Sequence, residues 1–475
     1  MANHDPEAPD SAKLKADFGF KGAVLTPSDP GFDDAVFGGL WNKLRPARHP
    51  AIIAQVEDED DVAAAVTFAR AVKLKVTVRG GGHSWCGTSL RRGSLLIDLT
   101  KLNKIISVDP LALTAVVQPI VTNREVQSAL NREGLAFPTG HCPSVKVSGY
   151  FLSGGMSWNH GVWGPGVGSV KAIELITAAG DRITASATEN QDYFWAARGA
   201  GAGFFGVVLR YHLTLYPLPK AITSSVYYYP YEQVEALAGW LDGLVRKLPP
   251  SVELSLFVVH APADLAESAV SSNGKLALVT ATMFADVAEE AVQTLRLFDS
   301  FPSIDQCLQK FVAQPTTFEA LFDASGALWP SDLRSLVDAQ FYRAPLVEAV
   351  RAVKDHLITT PSAKTVFLFS VYTGPDAAPP TPKDAAFSAT GPMYGGPWTM
   401  WDSADQDAEN LAWHEECVAL LQPSVVAHYV GETNIVGHPD YAEQSFGPGV
   451  WQRLQDLRQM HDPDGLFFGF TEGLT

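Results

Sequence analysis

Three consecutive glycines, Gly80, Gly81 and Gly82, run directly into His83, and the residues on either side restrict where such a loop can sit. Upstream, Asp61 to Val72 (DVAAAVTFARAV) is an alanine-rich helical pattern that opens on acids, and Val76-Thr77-Val78 is a β-branched run. Downstream, Ser94 to Leu99 (SLLIDL) reads as a further strand. The order helix, strand, glycine loop, strand places the loop at a strand end inside an α/β unit. Consecutive glycines can take positive φ and bring their N–H groups close to an anion, as a dinucleotide's pyrophosphate requires. The loop alone fits two readings, an anion cradle and a tight turn carrying a surface histidine.

A second glycine-rich region raises the same question. Cys142 lies between Gly140-His141 and Pro143-Ser144-Val145, and the tract Ser148 to Gly155 (SGYFLSGG) follows. A proline fixes the turn beside the thiol. A lone cysteine is also a small hydrophobe fit for burial, so two readings stay open here as well.

Four segments together resemble, in order and spacing, the berberine-bridge-enzyme-like flavoproteins of the vanillyl-alcohol-oxidase superfamily. They are Arg79-Gly80-Gly81-Gly82-His83-Ser84-Trp85, the Cys142-Pro143-Ser144-Val145 turn with its glycine tract, Asp192 to Val208 (DYFWAARGAGAGFFGVV), and Trp451 to Phe468 (WQRLQDLRQMHDPDGLFF). The resemblance implies an α+β, two-domain PCMH-type FAD-binding fold. In it, residues 1–217 plus 441–475 form the FAD-binding domain, and 218–440 form a substrate-binding domain with an antiparallel sheet covered by helices. It further implies FAD bonded twice, through His83 to the 8α-methyl and through Cys142 to ring carbon C6. Arg79, Gly80, Gly81, Gly82 and Ser84 would hold the pyrophosphate, and Gly149, Gly154, Gly206 and Val207 would line the rest of the cofactor. Imidazole and thiolate are nucleophiles, which suits attack on an electrophilic ring. The matching oxidases carry valine at the position of Val145, beside the oxygen-reactive face, which favours an oxidase giving hydrogen peroxide over a dehydrogenase with another acceptor. Lys146 and Ser148 depart from the pattern, and the lysine is expected to point to water.

Hydride transfer from an alcohol, a sugar or an aromatic natural product needs a group to take the hydroxyl proton. Val425 to Glu432 (VVAHYVGE) reads as a strand ending in polar residues, on which Tyr429 and His428 alternate faces. By resemblance Tyr429 is the expected base, with Glu432, His428 and Tyr372 as competitors or supports. Tyr394, Trp398 and Trp401 could wall a pocket or cap the core.

Composition narrows the remaining classes. The chain has 475 residues, 46% hydrophobic and 18% charged, so it can bury a large core in two domains. A formal net charge of −17 argues against nucleic-acid partners and anionic membrane surfaces. Partners are therefore expected to be a small-molecule substrate and O2. Four scattered cysteines, without CxxC spacing, argue against a metal site, and Cys86 reads as packing. The first twenty residues lack a basic start and an apolar core, from which a soluble cytoplasmic protein is expected. A nicotinamide-binding Rossmann unit would need GxGxxG opening a helix, whereas this loop runs into His-Ser-Trp. A flavin-carrying binding protein without turnover remains the reading from another class. After Pro217 to Pro219 the pattern changes to strands in runs separated by long helices (SSVYYY, VELSLFVVH and KLALVTATMF among the strands), the signature of an antiparallel sheet covered on one face.

Overall fold

The computed structural model describes residues 12–474; the opening residues 1–11, on which part of the leader reading rests, and Thr475 lie outside the described residues. Three main sheets organise the chain. The first has the order Ala23–Leu25, Ile52–Gln55, Leu95–Asp98, Val76–Arg79, with the last three strands parallel. Helix Glu59–Val72 makes the crossover between Ile52–Gln55 and Val76–Arg79. Its start is set by Asp58, whose carboxylate accepts from the Asp60 and Asp61 amides, and by three acids in the first turn. Val62, Ala65, Val66 and Phe68 bury its inner stripe against the parallel strands.

The second sheet is antiparallel, with five strands in the order Ile105–Asp109, Thr114–Val117, Gly206–Thr214, Val170–Thr177, Arg182–Ser186. The last two form the hairpin expected around Gly180-Asp181.

The third sheet is the largest. Its strands run Gln309–Thr316, Ala221–Pro230, Lys275–Ala285, Val252–His260, Val366–Val371, Met393–Trp401, Gln340–Tyr342 and Val425–His428, and Arg334–Val337 also pairs with Met393–Trp401. Alternation along each strand divides it into two faces. Tyr227, Tyr229, Leu254, Leu256, Val279, Phe367 and Phe369 lie under helices Val234–Leu244, Ala288–Leu295, Leu346–Leu357 and Asp407–Leu421. The opposite face, with Ser224, Glu253, Ser255, Thr280 and Ser370, lines a cavity shared with the glycine loop. This is the antiparallel sheet covered by helices that the sequence pattern calls for, and the whole is an α+β fold.

The chain then returns to its beginning. Helix Val450–His461 brings His461 against Tyr193 and Phe205, with ring centroids 4.5 and 5.8 Å apart. Asp462 accepts from the Leu466 and Phe467 amides, fixing the Asp-Pro-Asp turn, and the Val76 amide donates to Leu466 O at 2.8 Å. The terminal segment is thus joined to the strand that leads into the glycine loop.

Candidate active site

A cavity of about 640 Å³ lies between the glycine loop, the Cys142 turn and the uncovered face of the large sheet. Gly82 has φ 64°, and a Cβ there would stand 1.8 Å from Gly39 O; one on Gly81 would stand 2.3 Å from Lys146 Cγ. Both positions therefore require glycine. The N–H groups of Gly81, Gly82 and His83 donate to no acceptor among the described residues, as an anion cradle demands. The residues present fit a dinucleotide.

His83 projects into the cavity, stacked on Trp41 at 5.6 Å. Burial, with the neighbouring Lys146 charge adding to it, pushes the imidazole down to about 4, so it is neutral and nucleophilic at pH 7. A Ser144 backbone group faces the same ring, which brings the Cys142 turn alongside His83. Burial pushes the Cys142 thiol up, opposed by the Ser144 hydroxyl 3.6 Å from Sγ. Val145, Ser84 and Gly149 line the cavity too.

Four residues expected around the cofactor sit behind the wall. Arg79 is fully buried, paired with Asp98 at 2.6 Å and donating to the Ala35 and Val36 carbonyls, so its guanidinium ties down helix Phe32–Phe37. Gly154 is pressed against Phe387, Gly206 against Leu175, and Val207 belongs to the core beneath the parallel sheet. Lys146 does not point simply to water: its stem crosses Gly81, and burial lowers its ammonium.

The candidate bases are separated by local geometry. The strand expected through Glu432 ends at His428, because the Glu432 amide closes a turn on Tyr429 O at 2.9 Å. His428 faces away, stacked on Tyr441 at 3.7 Å, and does not line the cavity. Tyr429, Glu432 and Tyr372 do line it. The Tyr429 hydroxyl accepts from the Gly155 amide at 3.3 Å, while burial and the Glu432 charge push its phenol up. Glu432 is half-buried, desolvation raises its carboxyl, and Tyr394 donates to it. A raised carboxyl is the better proton acceptor near neutral pH, and a raised phenol is a better donor than base. The balance therefore moves from Tyr429 toward Glu432. Strand alternation divides the three aromatics of Met393–Trp401. Tyr394 and Trp398 face the cavity, whereas Trp401 is buried with Nε1 donating to Asp407.

The turn carrying Tyr429 and Glu432 is held from below by a residue the sequence reading did not single out. Asp338 Oδ1 accepts from the Thr433 hydroxyl at 2.9 Å and the Asn434 amide at 2.8 Å, and Oδ2 lies 3.1 Å from His414 Nε2. The Ala339 amide adds a bond to Glu432 O at 2.8 Å, and Tyr429 N returns one to Ala339 O at 2.9 Å. An acid inside the apolar run Ser335 to Tyr342 was the available signal. A second such group is Glu253, 3.4 Å from His141 and 3.3 Å from the His160 amide.

Comparisons with known proteins bear on the class of the cofactor. Residues 50–186 match the family described as an FAD binding domain. The chain is 26% identical over 435 residues to the FAD-linked oxidoreductase janO of Penicillium janthinellum, covering 90% of this chain and 92% of that one. It is 26% identical over 466 residues to (R)-6-hydroxynicotine oxidase of Paenarthrobacter nicotinovorans, covering 96% and 97%. This chain is an FAD-linked oxidoreductase. The oxidoreductase shares its fold with Physcomitrella patens BBE-like 1, at TM-score 0.81 and 16% identity, covering 98% of this chain and 99% of that one. It therefore carries the PCMH/VAO superfamily fold named by the four motifs. Among its described residues no cluster of His, Cys, Asp or Glu could hold a metal, and no helix is long and apolar enough to cross a membrane.

Proposed function

We propose that this protein is an oxidase with FAD attached through His83 and Cys142, in which Glu432 accepts the proton of a substrate hydroxyl. The observation that carries the reading is the half-buried Glu432 carboxyl, bonded by Tyr394, in the same cavity as His83, Cys142 and the glycine loop. Gly81, Gly82 and His83 would hold the pyrophosphate through their free amides, and the imidazole and thiol would each fix one edge of the ring system. When bound, the flavin supplies a hydride acceptor and returns the electrons to O2 as hydrogen peroxide. Glu432 takes the hydroxyl proton, Tyr394 keeps the carboxyl oriented, and the Gly155 amide fixes Tyr429 where its hydroxyl can donate to the substrate oxygen. Val145, in the cavity wall beside the Cys142 turn, leaves O2 a small side chain to pass. In this reading residues 1–217 and 441–475 hold the flavin and 218–440 hold the substrate.

The test begins with acid-denatured protein. Yellow colour that precipitates with the chain, and a mass gain of one FAD, is the expected result. His83→Ala and Cys142→Ala singly should keep the flavin bound, and only the double variant should release it. Photoreduced enzyme should reoxidise rapidly in air with peroxide formed. Slow reoxidation that a quinone or dye acceptor accelerates would replace the oxidase by a dehydrogenase.

A further inference from the structure

The glycine loop is flanked by guanidinium groups that are committed to the scaffold. Arg79 pairs with Asp98 at 2.6 Å, Arg48 donates to the Leu90 and Leu474 carbonyls at 2.9 and 2.7 Å, and Arg91 donates to the Thr88 and Phe470 carbonyls at 2.9 and 3.0 Å. None of these arginines lines the cavity. The diphosphate of FAD is a dianion, and the chain that must hold it carries a formal net charge of −17. Backbone amides supply dipoles to such a group but no balancing charge. Glu253 and Glu432, in the same wall, add acids rather than cations.

Lys146 is the only Lys or Arg among the residues that line the cavity. A bridge to Thr122 fixes its backbone, and its stem lies across the loop, with Cβ 3.0 Å and Cγ 2.3 Å from where a Cβ on Gly81 would stand. Glycine at position 81 therefore leaves open the space that the lysine stem crosses. The ammonium has no hydrogen bond or ion pair among the described residues. Glu125, the acid whose charge acts on it, has Oε2 occupied by the Thr122 amide and hydroxyl at 2.8 Å each. The ammonium's own charge reaches the His83 ring, at the far end of the cradle. A cation anchored at its root, free at its tip and laid over unsatisfied amides suits a phosphate group.

We infer that Lys146 is the counter-charge for the cofactor's diphosphate, supplying the positive charge that the Gly81, Gly82 and His83 amides lack. Lys146 is also a departure from the flavoprotein pattern, so the contact belongs to this chain. The ligand chemistry is a diphosphate ester, which FAD and ADP share and riboflavin lacks. The inference rests on the cofactor's place at the glycine loop in the reading above, and on neither the oxidase chemistry nor the covalent bonds.

The His83→Ala Cys142→Ala chain makes flavin binding reversible and serves as the parent. Stripped of flavin, it is titrated with FAD, ADP and riboflavin at low and high KCl, by flavin fluorescence and, for ADP, by calorimetry. Lys146→Met keeps the stem and removes the charge. FAD and ADP affinity should fall about tenfold at low salt, the gap should close at high salt, and riboflavin affinity should stay within about twofold. Lys146→Arg should hold FAD within about threefold of the parent. Parental FAD affinity in Lys146→Met, or an equal loss for riboflavin, overturns the inference. If the parent retains no flavin at all, the flavin content of purified Lys146→Met with His83 and Cys142 intact decides: content below wild type and restored by Lys146→Arg supports the counter-charge, and full content overturns it. If acid-denatured wild-type protein sheds its flavin, the proposed attachment falls while the Lys146 titration stands.

Discussion

Replacing Asp338 tests whether the Tyr429–Glu432 turn is placed from beneath. The carboxylate is fully buried and receives three polar hydrogens, from the Thr433 hydroxyl, the Asn434 amide and His414. Hydrogen bonds to a charged group contribute about 1.5–3 kcal/mol each, and some of that is offset by the cost of burying the charge. Asp338→Ala strands all three donors at once, so a loss of about 3–5 kcal/mol is expected. Asp338→Asn keeps one oxygen for Thr433 and Asn434, loses the charge and turns an amide N–H toward His414, whose Nε2 must then accept while Nδ1 donates to the Thr399 hydroxyl, for about 1–2 kcal/mol. The turn is then left with the pair of backbone bonds to Ala339 and the side-chain bonds to Tyr394 and Gly155, which hold its tip but not its base, so Glu432 can shift. A misplacement of about 1 Å costs roughly 100-fold in rate. Urea unfolding followed by tryptophan fluorescence measures the first quantity, and stopped-flow flavin reduction the second. Because Asp338 does not reach the sheet face, kcat should fall while KM stays within about twofold. If Asp338→Ala does not fold, the Asn variant still carries the rate test. Parental unfolding midpoints together with parental reduction rates would refute the account of the turn.

The base assignment makes an ordered prediction: Glu432→Gln slows flavin reduction by about 10²–10⁴-fold and Tyr429→Phe by far less, and the reverse order would return the role to Tyr429. His160 and His428 are buried and held neutral, at about 3 and about 4. The unfolded chain binds their protons first as pH falls below about 6.5, so each should cost about 2 kcal/mol of stability between pH 7 and pH 5. Urea midpoints at the two pH values measure this, and His428→Gln should remove about half of the drop that the two histidines cause. Gly82→Ala combines a φ of 64° with a Cβ 1.8 Å from a carbonyl oxygen, so the purified variant should lose most of its flavin absorbance; full flavin content would show that the loop tolerates the shift.

What the sequence made legible was periodic or local. The helix before the glycine loop, the Val170–Ser186 hairpin and the strands Ala221–Pro230, Val252–His260 and Lys275–Ala285 of the large sheet follow from apolar spacing, and the structure shows them within a few residues, whereas Gln309–Thr316, Arg334–Val337, Gln340–Tyr342 and Met393–Trp401 carry no comparable pattern. His83 and Cys142 were found because a reactive side chain beside glycine is a local signal, and both line the cavity. Orientation across an element was harder. Arg79 ends a strand whose side chains are all buried or nearly so, and its partner Asp98 lies on the neighbouring strand, so a basic residue beside a cradle proved to be part of the scaffold. Asp338 and Glu253 act through partners far away in the chain, such as His414 and His141, which no spacing rule brings together. The uncovered face of the large sheet needed register as well, since alternation puts Glu253 and Ser255 on one face but does not say that Thr280 and Ser370 stand opposite Ser255.

The closing segment also sets an order of assembly. Leu466 pairs with Val76, Arg91 donates to the Phe470 and Glu472 carbonyls, and Arg48 to Leu474 O. The strand leading into the cradle is therefore buttressed by residues that leave the ribosome almost four hundred positions after it. Flavin capture becomes a late event in the life of each molecule, and nascent chains stalled before Asp462 should emerge colourless, whatever cofactor surrounds them.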